Sequence, residues 1–155
     1  MSKAAGTGVV GIGYEGRTID AFVRELARQG VRRLVDVRLT PLSRKPGFSK
    51  TALTEALADA GIAYEHRRVL GNPKHNRAGF AGSDNDRSHA RAVFADLLRQ
   101  PEAAEAIEAL AAAALRERVA VLCFEADQHR CHRDVVLAEV ARRASTGPGS
   151  RHQAR

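Results

Sequence analysis

Both cysteines of the chain fall within nine positions of each other, in the segment CFEADQHRCHR that runs from Cys123 to Arg133. Three chemistries fit that composition. The first is a nucleophilic thiol. Cys131 sits where the final helix is expected to begin, and a helix start offers free backbone N–H groups and a partial positive charge that stabilise a thiolate. Arg130, His132 and Arg133 flank it. The same amides could instead hold an anion. The second chemistry is a metal site. Cys123, His129, Cys131 and His132 offer four nitrogen and sulfur ligands, with His66, His75 or His89 as possible completions. Four ligands crowded on one strand, turn and helix cannot easily face one ion, whereas structural zinc is usually held by spaced ligand pairs. The third reading is a buried turn in which small cysteines anchor a helix. Glu125 and Asp127 could act as a base or as caps for the following helix, and capping is the simpler explanation for Asp127. Cys123 ends a buried strand, as the cysteine of a phosphatase loop does, but position six after it is His129 where those loops carry arginine. The loop also lacks the small glycines that let backbone amides point inward.

A second group of candidates lies at other strand ends. Asp36 belongs to the apolar run RLVDVR (33–38) and needs a partner if buried. Arg38 and Arg17 are the nearest choices, and an Asp–Arg pair could hold an arginine fork toward a ligand phosphate. Tyr14 and Phe48 lie on candidate ligand loops. Tyr14 could stack on a base, whereas Phe48 suits the core better.

The elements that must position these residues follow from periodicity. VVGIG (9–13), RLVDVR (33–38), IAYEHRRVL (62–70) and RVAVLCFE (118–125) read as strands. Helices are expected after Thr18, after Ser49, over 88–99, over 101–116 and from Cys131 onward, with Gly30 and Gly61 closing the first two. Alternation of strand and helix predicts an α/β fold: one domain over 9–144, with a mostly parallel sheet of about four to five strands flanked by helices. Residues 1–8 are expected to form a flexible N-terminus and 145–155 a basic disordered tail. In such sheets ligands sit outside the carboxyl ends of the strands. Between Arg38 and Arg77, where two of those ends lie, eight lysines and arginines outnumber three acids.

A net charge of +7 favours an anionic partner, either a phosphate-bearing small molecule or nucleic acid. There is no apolar run long enough for a membrane span. Two cysteines and no export signal predict a cytoplasmic protein with reduced thiols. The oligomeric state is left open.

Together GIGYEGRTIDAF, LVDVRLTPLSRKPGFSKTALTEALADAGIAYEH, the LG pair at 70–71 and VLCFEADQHRCHR resemble the bacterial and archaeal domain-of-unknown-function family 488 over about residues 9–144. The resemblance implies a compact α/β domain and little about activity. Its signature maps onto Gly13, Asp36, Arg38, Pro41, Ser43, Arg44, Gly71, Cys123, Glu125, Cys131, His132 and Arg133. The loop after Gly71 departs from the pattern, with asparagine where a second glycine is expected. The combined reading is an anion pocket at the strand ends. Cys131, Glu125, His132 and Cys123 are its candidate catalytic groups. Tyr14, Arg17, Asp36, Arg38, Ser43, Arg44 and Arg133 are its candidate ligand-binding residues. No cofactor and no metal is expected. Two function classes stay open: an enzyme acting on a phosphate-containing substrate, and a non-catalytic nucleic-acid-binding accessory module.

Overall fold

The computed structural model describes residues 6–145. The expectations for a flexible N-terminus and a disordered tail fall, apart from residues 6–8 and 145, outside that range. Among the described residues the chain forms β1 (Gly8–Gly13), α1 (Ile19–Arg28), β2 (Val31–Asp36), α2 (Lys50–Asp59), β3 (Ala63–His66), α3 (Arg77–Ala81), α4 (Asp84–Leu97), α5 (Pro101–Ala114), β4 (Arg118–Cys123) and α6 (Arg133–Ser145). The four strands make one all-parallel sheet in the order β1-β4-β2-β3.

The sheet is buried on both faces, which is why its strands read as continuous apolar runs. Along β4, alternate residues go to opposite sides. Ala120 and Leu122 meet Phe22 and Leu26 of α1 and Leu53 and Leu57 of α2. Val119, Val121 and Cys123 meet Phe94 of α4, Ile107 of α5 and Val136 of α6. The chain thus leaves β1 and β2 toward one face and leaves β4, which lies between them, toward the other. That reversal opens a crevice at the carboxyl end of β4, the place where ligands collect in open α/β sheets.

Local signals account for most boundaries. Thr18 caps α1 by accepting from the Ala21 N–H at 3.2 Å, and Gly30 turns the chain at a φ of 76° that side chains disfavour. Two expectations shift. The third strand stops at His66, and residues Arg68–Leu70 form a 3₁₀ turn instead of continuing it. The helix expected from residue 88 begins at Asp84, because Ser83 and Asp86 form a reciprocal capping box. The short helix α3 precedes it in a stretch whose proline, asparagines and glycines read as loop.

Candidate functional site

A cleft of about 280 Å³ lies at the carboxyl ends of β1, β2 and β4. Tyr14 follows β1, Arg38 to Leu42 follow β2, and Cys123, Phe124 and Glu125 come from the end of β4. Arg130, Cys131 and His132 close it from the segment entering α6, while Asn72, Arg77 and Phe80 reach in from the long connection between β3 and α4.

One wall is a saturated polar network. Asp36 is fully buried and Arg38 nearly so. Arg38 donates from Nε to Asp36 Oδ1 at 2.9 Å and from Nη2 to Oδ2 at 2.7 Å. Its Nη1 donates to the Phe48 carbonyl at 2.7 Å and to Tyr14 Oη at 3.2 Å. Tyr64 Oη donates to Asp36 Oδ2 at 2.5 Å, and the Arg38 backbone N–H donates to Oδ1 at 3.0 Å. Burial works against the Arg38 cation, but the hydrogen bonds and charge of Asp36 outweigh it and raise its pKa. Burial and the bond to Asp36 likewise raise that of Tyr64. The arginine fork expected to reach a ligand is spent on Asp36. Tyr14 stacks on Phe48 with centroids 4.5 Å apart and takes the edge of Phe124 at 5.3 Å, so one of its faces is already covered.

The opposite wall holds the cysteines. Cys123, Cys131 and His132 are buried, and their ligating atoms lie within 4.8 Å of one another. His132 Nδ1 stands 3.7 Å from Cys123 Sγ and 3.8 Å from Cys131 Sγ. Its Nε2 is 2.8 Å from the Val37 carbonyl. A carbonyl only accepts, so Nε2 carries a proton and Nδ1 faces the two sulfurs. Cys131 is extended, two residues ahead of α6, and its Sγ accepts the Arg133 N–H at 3.5 Å. The helix therefore starts later than expected, yet its first amide still points at the sulfur. The hydrogen bond from Cys123 pulls the Cys131 thiol down to about 4, with His132 and the Arg133 N–H adding to it against burial. The same bond and burial push Cys123 up. Glu125, whose Oε1 is 3.7 Å from Cys123 Sγ, is raised mainly by burial.

The backbone explains how this corner is shaped. A Cβ on Gly13 would fall 1.9 Å from the Glu125 carbonyl oxygen, and one on Gly11 would fall 2.1 Å from Gln128 Oε1. The glycines of β1 let the 125–128 turn lie directly on the strand. Asp127 caps the 3₁₀ turn Gln128–Arg130 by accepting the His129 N–H at 3.0 Å, where a cap on the final helix was expected.

The four candidate catalytic residues, Cys123, Glu125, Cys131 and His132, all line the cleft, together with Tyr14 and Arg38. The other candidate ligand-binding residues do not. Arg17 is half-buried and does not line the cleft. Ser43 accepts the Lys45 N–H at 3.1 Å within its own turn, and Arg44 is exposed away from the cleft. Asp36 lies behind Arg38. Arg133 is buried, donating to the carbonyls of Glu125 at 2.6 Å and Ala126 at 3.4 Å, so it braces the loop. His129, raised as a metal ligand, faces solvent beside Asp134 and stays out of the cluster. Arg77 and Asn72 were not singled out, and Arg130 was named only as a neighbour of Cys131. The departure after Gly71 was the available signal for Asn72, since that loop enters the cleft.

A family model described as "Domain of unknown function DUF488" matches residues 18–140, which include every cleft residue except Tyr14. No curated protein and no solved structure matches the chain.

Proposed function

The chain belongs to the DUF488 family, and from that premise we propose that it is an enzyme that acts on a small anionic substrate through Cys123, Glu125, Cys131 and His132. One observation carries the reading: four groups able to do chemistry border one small cleft whose rim holds Arg77 and Arg130. Arg77 is exposed, and Arg130 is held at the mouth by its bond to the Ala81 carbonyl at 3.0 Å and an exposed ion pair with Asp127 at 3.5 Å that a ligand anion can replace. These two cations, rather than Arg38, are available to a substrate's phosphate or carboxylate. A cleft of about 280 Å³ suits a single small molecule or one nucleotide unit. Nucleic-acid binding without turnover rests on the net charge of +7 alone.

The test uses inorganic phosphate and a short single-stranded oligonucleotide as probes. Phosphate at a hundred times its Kd stabilises a protein by about 2.7 kcal/mol. We expect a rise in melting temperature with phosphate, and an Arg77→Ala/Arg130→Ala double variant to need at least about tenfold more phosphate for the same rise. An identical response in wild type and double variant, or no response at all, contradicts the reading. Oligonucleotide binding that falls steeply with salt and ignores the double variant would favour the accessory module instead.

A further inference from the structure

We propose that Cys123, Cys131 and His132 are the protein ligands of a zinc ion whose fourth position opens into the cleft. The inference rests on the enzyme reading above and names the group that would do its chemistry.

The argument is geometric. Zinc bonds of about 2.3 Å to sulfur and 2.0–2.1 Å to nitrogen, at tetrahedral angles, put ligand atoms about 3.6 Å apart for sulfur and nitrogen and about 3.8 Å apart for two sulfurs. His132 Nδ1 stands 3.7 Å from one sulfur and 3.8 Å from the other. Each thiol also has a hydrogen-bond acceptor, Glu125 Oε1 for Cys123 and His132 Nδ1 for Cys131, but the near-equal approach of Nδ1 to both sulfurs, with all three atoms within 4.8 Å of one another, is the spacing of ligands around one ion. The supporting bonds fit as well. Ligating histidines commonly donate their other ring N–H to a carbonyl, which fixes the tautomer, and His132 does so to Val37 at 2.8 Å. The Arg133 N–H at 3.5 Å supports the Cys131 sulfur. Two thiolates cancel the charge of the ion, so the buried site carries no net charge. Soft sulfur with imidazole in a tetrahedral set selects zinc over magnesium or calcium.

Three protein ligands with an open fourth position is the pattern of a catalytic rather than a structural zinc. The open position would hold water. Glu125 borders the same cleft, 3.7 Å from Cys123 Sγ. Its carboxylate would be placed to take a proton from that water and return it to the leaving group, while the ion would supply Lewis-acid activation for water to add to a carbonyl or phosphoryl centre and break its bond to that group. The substrate class is therefore a hydrolysable ester, amide or phosphoester with an anionic group at the rim.

The full-length chain, purified without chelators, should carry close to one zinc per chain by elemental mass spectrometry. Cys123→Ser, Cys131→Ser and His132→Ala, each checked for folding by circular dichroism, should each retain a small fraction of that. In wild-type protein stripped of metal, added zinc alone should protect Cys131 from iodoacetamide by at least about tenfold, because coordination draws electron density from the thiolate and lowers its nucleophilicity. Zinc content unchanged in all three variants would overturn the proposal. So would Cys131 alkylation at the same rate with and without zinc. In either case the enzyme reading survives if the Arg77 and Arg130 double variant still alters phosphate binding; if only that response is missing, the zinc site stands and the anionic substrate falls.

Discussion

The two walls of the cleft use similar residues to opposite ends. On one wall Asp36, Arg38, Tyr14 and Tyr64 satisfy one another, and Arg38 commits four of its five donors within the protein. On the other, two sulfurs and one imidazole nitrogen converge within 4.8 Å of one another, held by weak sulfur hydrogen bonds of 3.5 to 3.8 Å. Short charge-assisted bonds hold shape; a cluster of soft donors is where an ion has something to add. The comparison also separates the arginines, since Arg38 and Arg133 are braces while Arg77 and Arg130 stand on the rim.

Breaking the saturated wall should have the largest effect on stability. Arg38→Ala leaves Asp36 as an unpaired buried charge and should cost about 3–5 kcal/mol in urea unfolding. Replacing both partners with apolar residues of similar volume should cost much less than the single change. A loss below about 1 kcal/mol for Arg38→Ala would mean that the wall is not the brace described.

Arg133→Met comes next. It strips the Glu125 and Ala126 carbonyls of their donor and should cost about 1–3 kcal/mol by the same assay. The turn above Gly13 should loosen, visible as faster hydrogen exchange at residues 125–128. Unchanged exchange there would place the brace elsewhere.

The smallest effect on stability is expected at the cysteine wall. In metal-stripped protein Cys131→Ser should change stability by less than about 1 kcal/mol, because the serine hydroxyl can still meet His132 Nδ1 and the Arg133 N–H. The same substitution in protein exposed to zinc should remove the stabilisation that the ion gives wild type, since binding energy of a folded-state site is folding energy. Equal melting temperatures for wild type with and without zinc would erase the contrast between the walls.

The sheet and its flanking helices were legible because burial on both faces writes itself as apolar runs, and Thr18 and Gly30 mark the ends of α1. The start of α4 was hidden by its polarity, although Ser83 and Asp86 carried a capping signature. The site was legible in part. Strand ends gather in a parallel sheet, so Cys123 and Arg38 had to approach each other. Residue type says less about commitments. Nothing in the sequence tells that four donors of Arg38 are spent inside the protein, or that Arg133 is buried with bonds to two carbonyls and a partnerless Nε. Nor does adjacency tell which of His129 and His132 turns inward; that depends on a turn capped by Asp127, which sends His129 to solvent and leaves His132 facing both sulfurs.

X-ray absorption at the zinc edge on the full-length protein tests the central claim most directly. The account predicts a first shell of two sulfurs at about 2.3 Å with the remaining ligands nitrogen or oxygen at about 2.0–2.2 Å, and loss of one sulfur in Cys123→Ser. A shell of nitrogen and oxygen alone would contradict it, because the two cysteines would then meet at the head of α6 without sharing an ion.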